Sequence, residues 1–412
     1  MQFKFDESGL LKHGLIMFVS LIIARFFGYL FQIYVARSLG PEEYGVFGSL
    51  FSIFMLLSIP TGTIQTVVSR FTSEYKVNSD YGLIKKLYFS SIKRLSFYGI
   101  IAIFLVTLIS FPLAVFLKIP TVFSIIILGF SVIWSFVLPV SEGILSGLQN
   151  FKWLGITSLL NTLSRFLIMI LFLAVGLKLN GVLLSFVLAP LIPFLICLIP
   201  LRELLKQKDS VDSINVSSIH YYSYPILIVV GFSMFMQNFS ILAIKHFFSS
   251  YDTGIYVAAC NISMVVIFLG AALTSSQFPK VSDLHSLNSD AKYILKESLI
   301  YMVSFSFLFV IGCLFFRHTI VSTLFGEKYA DAVNLLPVLC VAMSIFAVST
   351  LLINYSIAIK KFSFVKLIMI VIFIHVLFMF IFNKSINMII LNLLICYIAV
   401  LIIMAFHIFH IK

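Results

Sequence analysis

Twelve apolar runs, each long enough to cross a bilayer and parted by short polar connectors, constrain this chain more than any other feature. Their approximate limits are 13–38, 44–70, 88–117, 121–148, 153–177, 180–201, 220–247, 254–278, 294–316, 332–358, 363–383 and 386–408. A spanning helix needs about 20 mostly apolar residues. Lipid offers the backbone no hydrogen-bond partner, so each run must satisfy its own N–H and C=O groups, which a helix does. The sequence therefore predicts an all-α polytopic membrane protein of about twelve transmembrane helices. Only 11% of the 412 residues are charged, against roughly 25% in soluble domains. That excludes a soluble enzyme, a nucleic-acid-binding domain and any large extramembrane catalytic domain.

The net charge of +12 sits mainly in connectors, where Lys and Arg set orientation and meet anionic headgroups. With the N-terminus in the cytoplasm, 19 of the 28 positive residues fall on that side and seven outside; Arg25 and Arg165 lie within spans. This split predicts both termini in the cytoplasm. The first run is too long for a signal-peptide core and is expected as a retained helix. Cys197, Cys260, Cys313, Cys340 and Cys396 all lie in apolar runs without CxxC or Cys/His spacing, which predicts buried thiols and no zinc site. His220, His318, His375, His407 and His410 show no metal-ligand spacing either, so no metal or cofactor is expected.

The polar connector Arg202–Ser218 divides the spans six and six. The expected domains are an N-terminal lobe over 1–202, a cytoplasmic linker over 203–218 and a C-terminal lobe over 219–412. A shift of 209 residues lays Glu43-Tyr44-Gly45-Val46-Phe47 on Asp252-Thr253-Gly254-Ile255-Tyr256, and Glu74 on Asp283. Six spans per repeat is even, so both lobes enter from one side, which predicts a parallel repeat about an axis along the membrane normal.

The most specific segment is Ala36-Arg37-Ser38-Leu39-Gly40-Pro41-Glu42-Glu43-Tyr44-Gly45-Val46-Phe47. Gly40 suits a helix end, Pro41 a helix start, and Glu42 and Glu43 the positive N-terminal end of the second helix. The segment resembles the first extracytoplasmic turn of polysaccharide-biosynthesis (O-antigen) flippases. These form the oligosaccharide-lipid branch of the multidrug/oligosaccharidyl-lipid/polysaccharide (MOP) exporter superfamily. Gly254-Ile255-Tyr256-Val257-Ala258-Ala259 with Phe278-Pro279-Lys280-Val281-Ser282-Asp283-Leu284 resembles the eighth helix and its loop, and Glu142–Lys152 the turn after the fourth. The resemblance implies two six-helix lobes moving undecaprenyl-pyrophosphate-linked oligosaccharide from the cytoplasmic to the periplasmic leaflet of a bacterial inner membrane by alternating access. It implies a transporter and not an enzyme, working among membrane lipids, with a polysaccharide polymerase and a chain-length regulator as candidate partners.

Arg25 and Arg165 lie near mid-span, where an arginine costs roughly 2.5–3.5 kcal/mol and usually faces a cavity or a partner. A planar, permanently charged fork suits phosphate oxygens. The alternative is that each snorkels or pairs with polar neighbours such as Gln32 or Asn161. Asn238 and Gln65 are the leading amide candidates for sugar hydroxyls, because the resemblance implies a cleft bordered by helices one, two, seven and eight. Gln237, Asn261, Gln277 and Asn354 are further candidates, and all six equally suit joining helices. Glu142, the one acid well inside an apolar run, is a candidate for coupling, for pairing with an arginine or for capping the next turn. Arg37, Lys245, Glu42, Glu43 and Asp252 gather at the predicted periplasmic ends, as an outer gate or as a solvated rim. Pro60, with Gly62 nearby, predicts a kink in span two that is either a hinge or a static bend.

Three other functions fit the same outline less well. A cation-coupled multidrug exporter would need an interior carboxylate in spans one, two, seven or eight, and none is present. A lipid II flippase generally carries fourteen helices, and a membrane polymerase or ligase needs a larger exterior loop. Orientation is directly measurable. Lys206→Cys should label with an impermeant maleimide only from the cytoplasmic face and Lys328→Cys only from the opposite face; the reverse pattern would overturn it.

Overall fold

The computed structural model describes residues 10–207, 216–286, 292–359, 361 and 363–409. The middle of the expected linker (208–215), His410, and the positive residues Lys4, Lys208, Lys360 and Lys412 lie outside them. Every predicted span falls on helix: α1 (Leu10–Leu57), α2 (Ile59–Val77), α3 (Tyr81–Leu108), α4 (Ser110–Phe116), α5 (Val122–Ser131), α6 (Ile133–Gly147), α7 (Phe151–Ala174), α8 (Lys178–Leu188) and α9 (Leu191–Leu205) come first. They are followed by α10 (Val216–Phe247), α11 (Ser250–Ser263), α12 (Val265–Ser286), α13 (Lys292–Phe315), α14 (Arg317–Leu324), α15 (Ala332–Ala358), α16 (Val365–Ile381) and α17 (Ile386–Phe409). The described residues contain no strand. Nine helical segments among them are long and apolar enough to cross a membrane; one, Val19–Val77, has 59 residues and holds the first two spans. Phe104, Phe111, Phe307 and Phe373 are each at least 65% exposed, a cost in water that vanishes against lipid tails. The chain is a multi-pass, all-α membrane protein.

Two compact units divide the chain: Met1–Leu39 with Ile53–Val230, and Gly40–Ser52 with Gly231–Lys412. In the first, α2 lies directly on α6. The contact is built on Gly143-Ile144-Leu145-Ser146-Gly147, a small-xxx-small pattern that lets backbones approach. A Cβ at Gly143 would meet Val68 Cβ at 2.8 Å and the Gln65 carbonyl oxygen at 2.9 Å. Polar atoms pair along the same seam. Ser69 Oγ donates to Ser146 Oγ at 3.0 Å, Ser73 Oγ to the Gly147 carbonyl at 3.1 Å, and Lys76 Nζ to the Leu148 carbonyl at 3.1 Å. Val67, Phe71, Ile84, Leu87, Ile144 and Leu201 form the buried core around it.

The break in span two falls at Ser58, two residues before Pro60. Pro60 therefore sits in the first turn of α2, where its missing N–H is no loss. Ser135 of α6 holds the break: its Oγ shares a 2.7 Å hydrogen bond with Ser58 Oγ, and its carbonyl accepts from Thr61 Oγ1 at 3.0 Å. A Cβ at Gly62 would meet open space.

In the second unit α15 is the central element, buried along most of its length and packed against α11, α12, α13 and α17. Its Phe346 stacks on Tyr397 of α17 with ring centroids 4.5 Å apart, and the Tyr397 hydroxyl donates to the Met236 carbonyl of α10 at 3.1 Å.

Two glycines with opposite surroundings give a paired test by thermal unfolding in detergent. Gly147→Leu overfills the α2–α6 seam and should cost about 1–3 kcal/mol. Gly62→Ala should be neutral or stabilising by up to about 1 kcal/mol.

Candidate functional site

Arg165 occupies the middle of α7 in the first unit, half-buried. Its guanidinium lies over the ring of Phe186 on α8, 4.4 Å from the centroid. Phe186 is held edge-on by Phe31 of α1 at 5.7 Å and by Phe54 at 5.3 Å. The cation thus rests on an aromatic wall supplied by separate helices, an arrangement worth about 0.5–2 kcal/mol. Nη2 reaches Asn161 Oδ1 one turn earlier, at a long 3.5 Å, and buried Nε meets no hydrogen-bond acceptor among the described residues. A charge drawn from water with an unused donor favours an anionic ligand.

Arg25 is exposed on α1. Its helix and that of Arg165 pack together beside both arginines, where Phe27 meets Phe166 at 5.8 Å. Ser20 of α1 lies against Gly155 of α7, whose absent Cβ would approach Ser20 Oγ to 2.9 Å. The structure therefore sets the two arginine-bearing helices side by side, with Arg165 the more enclosed.

The candidate amides spend donors on their own helices. Asn238 is buried and Nδ2 donates to the Met234 carbonyl at 2.8 Å. Gln237 and Asn354 make the same bond to Ser233 and Thr350. Asn261 Nδ2 donates to the Val257 carbonyl and to the Tyr44 hydroxyl, at 3.0 and 2.8 Å. Gln65 is half-buried, and its main-chain carbonyl faces Gly143. Gln277 differs: it is buried, and both amide atoms lack a partner among the described residues. Glu142 is half-buried between buried Ser141 and Gly143, and no hydrogen bond or ion pair reaches its carboxylate among the described residues.

The expected gate residues take distinct roles. Lys245, 1% exposed at the end of α10, donates to Ser250 Oγ at the start of α11. Asp252 closes a capping box with Ser249: its carboxylate accepts from the Ser249 N–H at 3.2 Å, while Ser249 Oγ accepts from the Asp252 N–H at 3.1 Å. Arg37 is exposed at the far end of the first unit's α1 stretch, and Glu43 is half-buried. The five cysteines are buried and free. Among the described residues no group of three metal-ligating side chains occurs.

The family model for polysaccharide biosynthesis protein matches residues 10–285, two thirds of the chain and the whole Arg25–Arg165 region. The chain belongs to the polysaccharide biosynthesis protein family. One similar protein is an uncharacterized membrane protein, MJ1375, of Methanocaldococcus jannaschii, 26% identical over 398 residues, covering 93% of this chain and 91% of the relative. Among solved structures, the inward-facing form of a multidrug resistance MATE transporter of the MOP superfamily matches with TM-score 0.74 and 15% identity, over 95% of this chain and 97% of that one. The lipid II flippase MurJ, in an inward closed conformation, matches with 0.75 and 14%, over 96% and 87%. A MOP superfamily transporter from Pyrococcus furiosus, described as having a binding pocket of reverse polarity, matches with 0.67 and 12%, over 97% and 95%. These likenesses identify the fold, the two-lobed helical architecture of the MOP superfamily.

For this family member the Arg165–Phe186 contact is the feature that sequence spacing did not expose, because the partners lie on different helices. A double-mutant cycle of Arg165→Met with Phe186→Leu should return a coupling energy of about 1 kcal/mol in thermal unfolding. A value near zero would make the ring mere packing.

Proposed function

We propose that this protein is a flippase that carries an undecaprenyl-pyrophosphate-linked oligosaccharide, an O-antigen or capsule repeat unit, from the cytoplasmic to the outer leaflet of a bacterial inner membrane. The observation that carries the reading is Arg165: a mid-helix guanidinium on an aromatic wall, with buried Nε lacking an acceptor among the described residues. A pyrophosphate offers two adjacent anionic groups and several acceptors to such a fork. Arg25, on the helix packed beside it, supplies a second cation. Membership of the polysaccharide biosynthesis family supports a glycan cargo.

In this reading the protein is a transporter, not an enzyme. Its lobes are 1–202 and 219–412, joined by the cytoplasmic linker 203–218, and both termini face the cytoplasm. Asn238 and Gln65 offer their remaining acceptors and donors to sugar hydroxyls. Glu142 is the carboxylate available for coupling, and the Ser58 break with Pro60 and Gly62 is the hinge. Membrane lipid surrounds the lobes, and a polymerase and a chain-length regulator take the product onward.

The reading is tested by transbilayer movement of an undecaprenyl-pyrophosphate oligosaccharide in proteoliposomes. Arg165→Gln should lower the rate by at least about tenfold, the equivalent of one charged hydrogen bond lost, and Arg25→Gln by less. Unchanged rates in both variants would remove the arginines from the substrate path. Export of a cationic dye without glycan movement would replace the flippase by a multidrug exporter.

A further inference from the structure

Lysine and arginine gather where α3 and α9 pack together in the first unit. The two helices share the buried core of Ile84, Leu87, Tyr88, Cys197, Leu201 and Leu204. Lys85 Nζ, near the start of α3, donates to the Gln207 carbonyl just past the end of α9 at 2.8 Å. The helices therefore run antiparallel, joined at their predicted cytoplasmic ends. Counted from that bond, Lys86, Lys93 and Arg94 follow along α3, and Lys206 and Arg202 along α9. Lys93, Arg94, Arg202 and Lys206 are exposed, and no hydrogen bond or ion pair engages their side chains among the described residues. Glu203 is the one carboxylate on either helix.

Orientation by positive charge asks only for basic residues near helix ends. The other half of the repeat carries that much and no more. α13, which the 209-residue shift lays on α3, has Lys292 and Lys296 in its first turns, then Met302 and Val303 where α3 has Lys93 and Arg94. The deeper pair on α3 serves something else. Residues three and four apart share a helix face. Lys93 stands four residues from exposed Phe89 and four from exposed Phe97, and exposed Ile100 and Phe104 continue the stripe. On α9, exposed Leu195 and Ile199 lead at the same spacing to Arg202 and Lys206. Each helix thus presents a stripe that is apolar further in and basic toward the joined end. Lys93 lies about 12 Å along α3 from Lys85, and the headgroup layer on one side of a bilayer is only about 5–7 Å deep. The cations extend through that whole layer to the start of the acyl chains, where a charge is costly unless an anion meets it.

We propose that the seam between α3 and α9 is a binding site for an anionic phospholipid of the predicted cytoplasmic leaflet. Lys93, Arg202 and Lys206 hold its phosphate, and its acyl chains lie along Phe97, Ile100 and Ile199. The planar fork of Arg202 takes two phosphate oxygens at once, while the lysines act as point charges. A zwitterionic headgroup brings its own ammonium into this basic patch and is disfavoured. The site needs nothing from the flippase reading.

The test titrates purified full-length protein in detergent with phosphatidylglycerol and, separately, phosphatidylcholine, counting bound lipid by native mass spectrometry. Wild type should bind phosphatidylglycerol at least about tenfold more tightly. Each basic residue near an anionic surface is worth about fivefold, so Lys93→Gln/Arg202→Gln/Lys206→Gln should cut the preference to about twofold or less. Lys292→Gln/Lys296→Gln on α13 should leave it unchanged. Location is read with Phe97→Trp in a Trp134→Phe/Trp153→Phe background. Brominated phosphatidylglycerol should quench that tryptophan more than brominated phosphatidylcholine, and the two should quench alike once the three cations are removed. Glycerol phosphate, with the charge and no chains, should not displace the lipid at equal concentration; displacement would reduce the site to a contact for any anion and overturn the lipid. No preference in wild type, a preference that survives the triple variant, or one lost equally in the α13 variant would also overturn the site.

Discussion

Between helices in hydrocarbon there is no gain from hiding apolar surface, since lipid tails are as apolar as leucine. Association rests on how closely backbones approach and on polar groups finding one another. Both units follow that constraint. Where α2 meets α6, glycines at 143 and 147 admit the facing helix, and Ser69, Ser73 and Lys76 hydrogen-bond along the opened seam. Where segment 40–52 meets α11, glycines at 45 and 254 perform the same service and Asn261 supplies the bond. Among the described residues many phenylalanines, such as Phe104, Phe111 and Phe373, lie exposed on the outside.

The same medium sorts the polar side chains. Amides at 237, 238 and 354 satisfy themselves on the preceding turn, which removes most of their cost without tying them to a neighbour. Arg165 has no such remedy, because its guanidinium carries too many donors for one carbonyl or amide. A ring below it and a distant Asn161 oxygen offset part of the desolvation, leaving a buried Nε with no acceptor among the described residues.

Much of this architecture was readable in the sequence because lipid enforces long, uniform apolar runs, and every predicted span coincides with helix. Finer breaks were hidden. The interruptions at Val132 and Met264 carry neither proline nor glycine, and Pro60 marked a break that falls at Ser58, since proline sits comfortably in a first turn. The repeat offset pairs Gly45 with Gly254, yet an alignment states equivalence and not contact. Arg165 was visible as a charge out of place, whereas Phe186, one phenylalanine among 45, had nothing to mark it. Lys245 is expected at an outer gate or in a solvated rim; the structure buries it against Ser250, whose carbonyl faces Gly45.

Gly48 and Val257, equivalents under the 209-residue repeat, face each other, with 3.3 Å between an ideal Gly48 Cβ and Val257 Cβ, and the pairing has an implication for how such a chain drifts. In two identical subunits related by a two-fold axis, a residue on that axis meets its own copy, so any enlargement is felt twice. Joined in one polypeptide, the two copies are separate codons that still occupy one space. Volume can then move from one to the other, glycine on one side allowing valine on the other, provided the sum is kept. The two positions behave as a single locus of fixed capacity, and substitutions at either will be tolerated or rejected according to what its counterpart already holds.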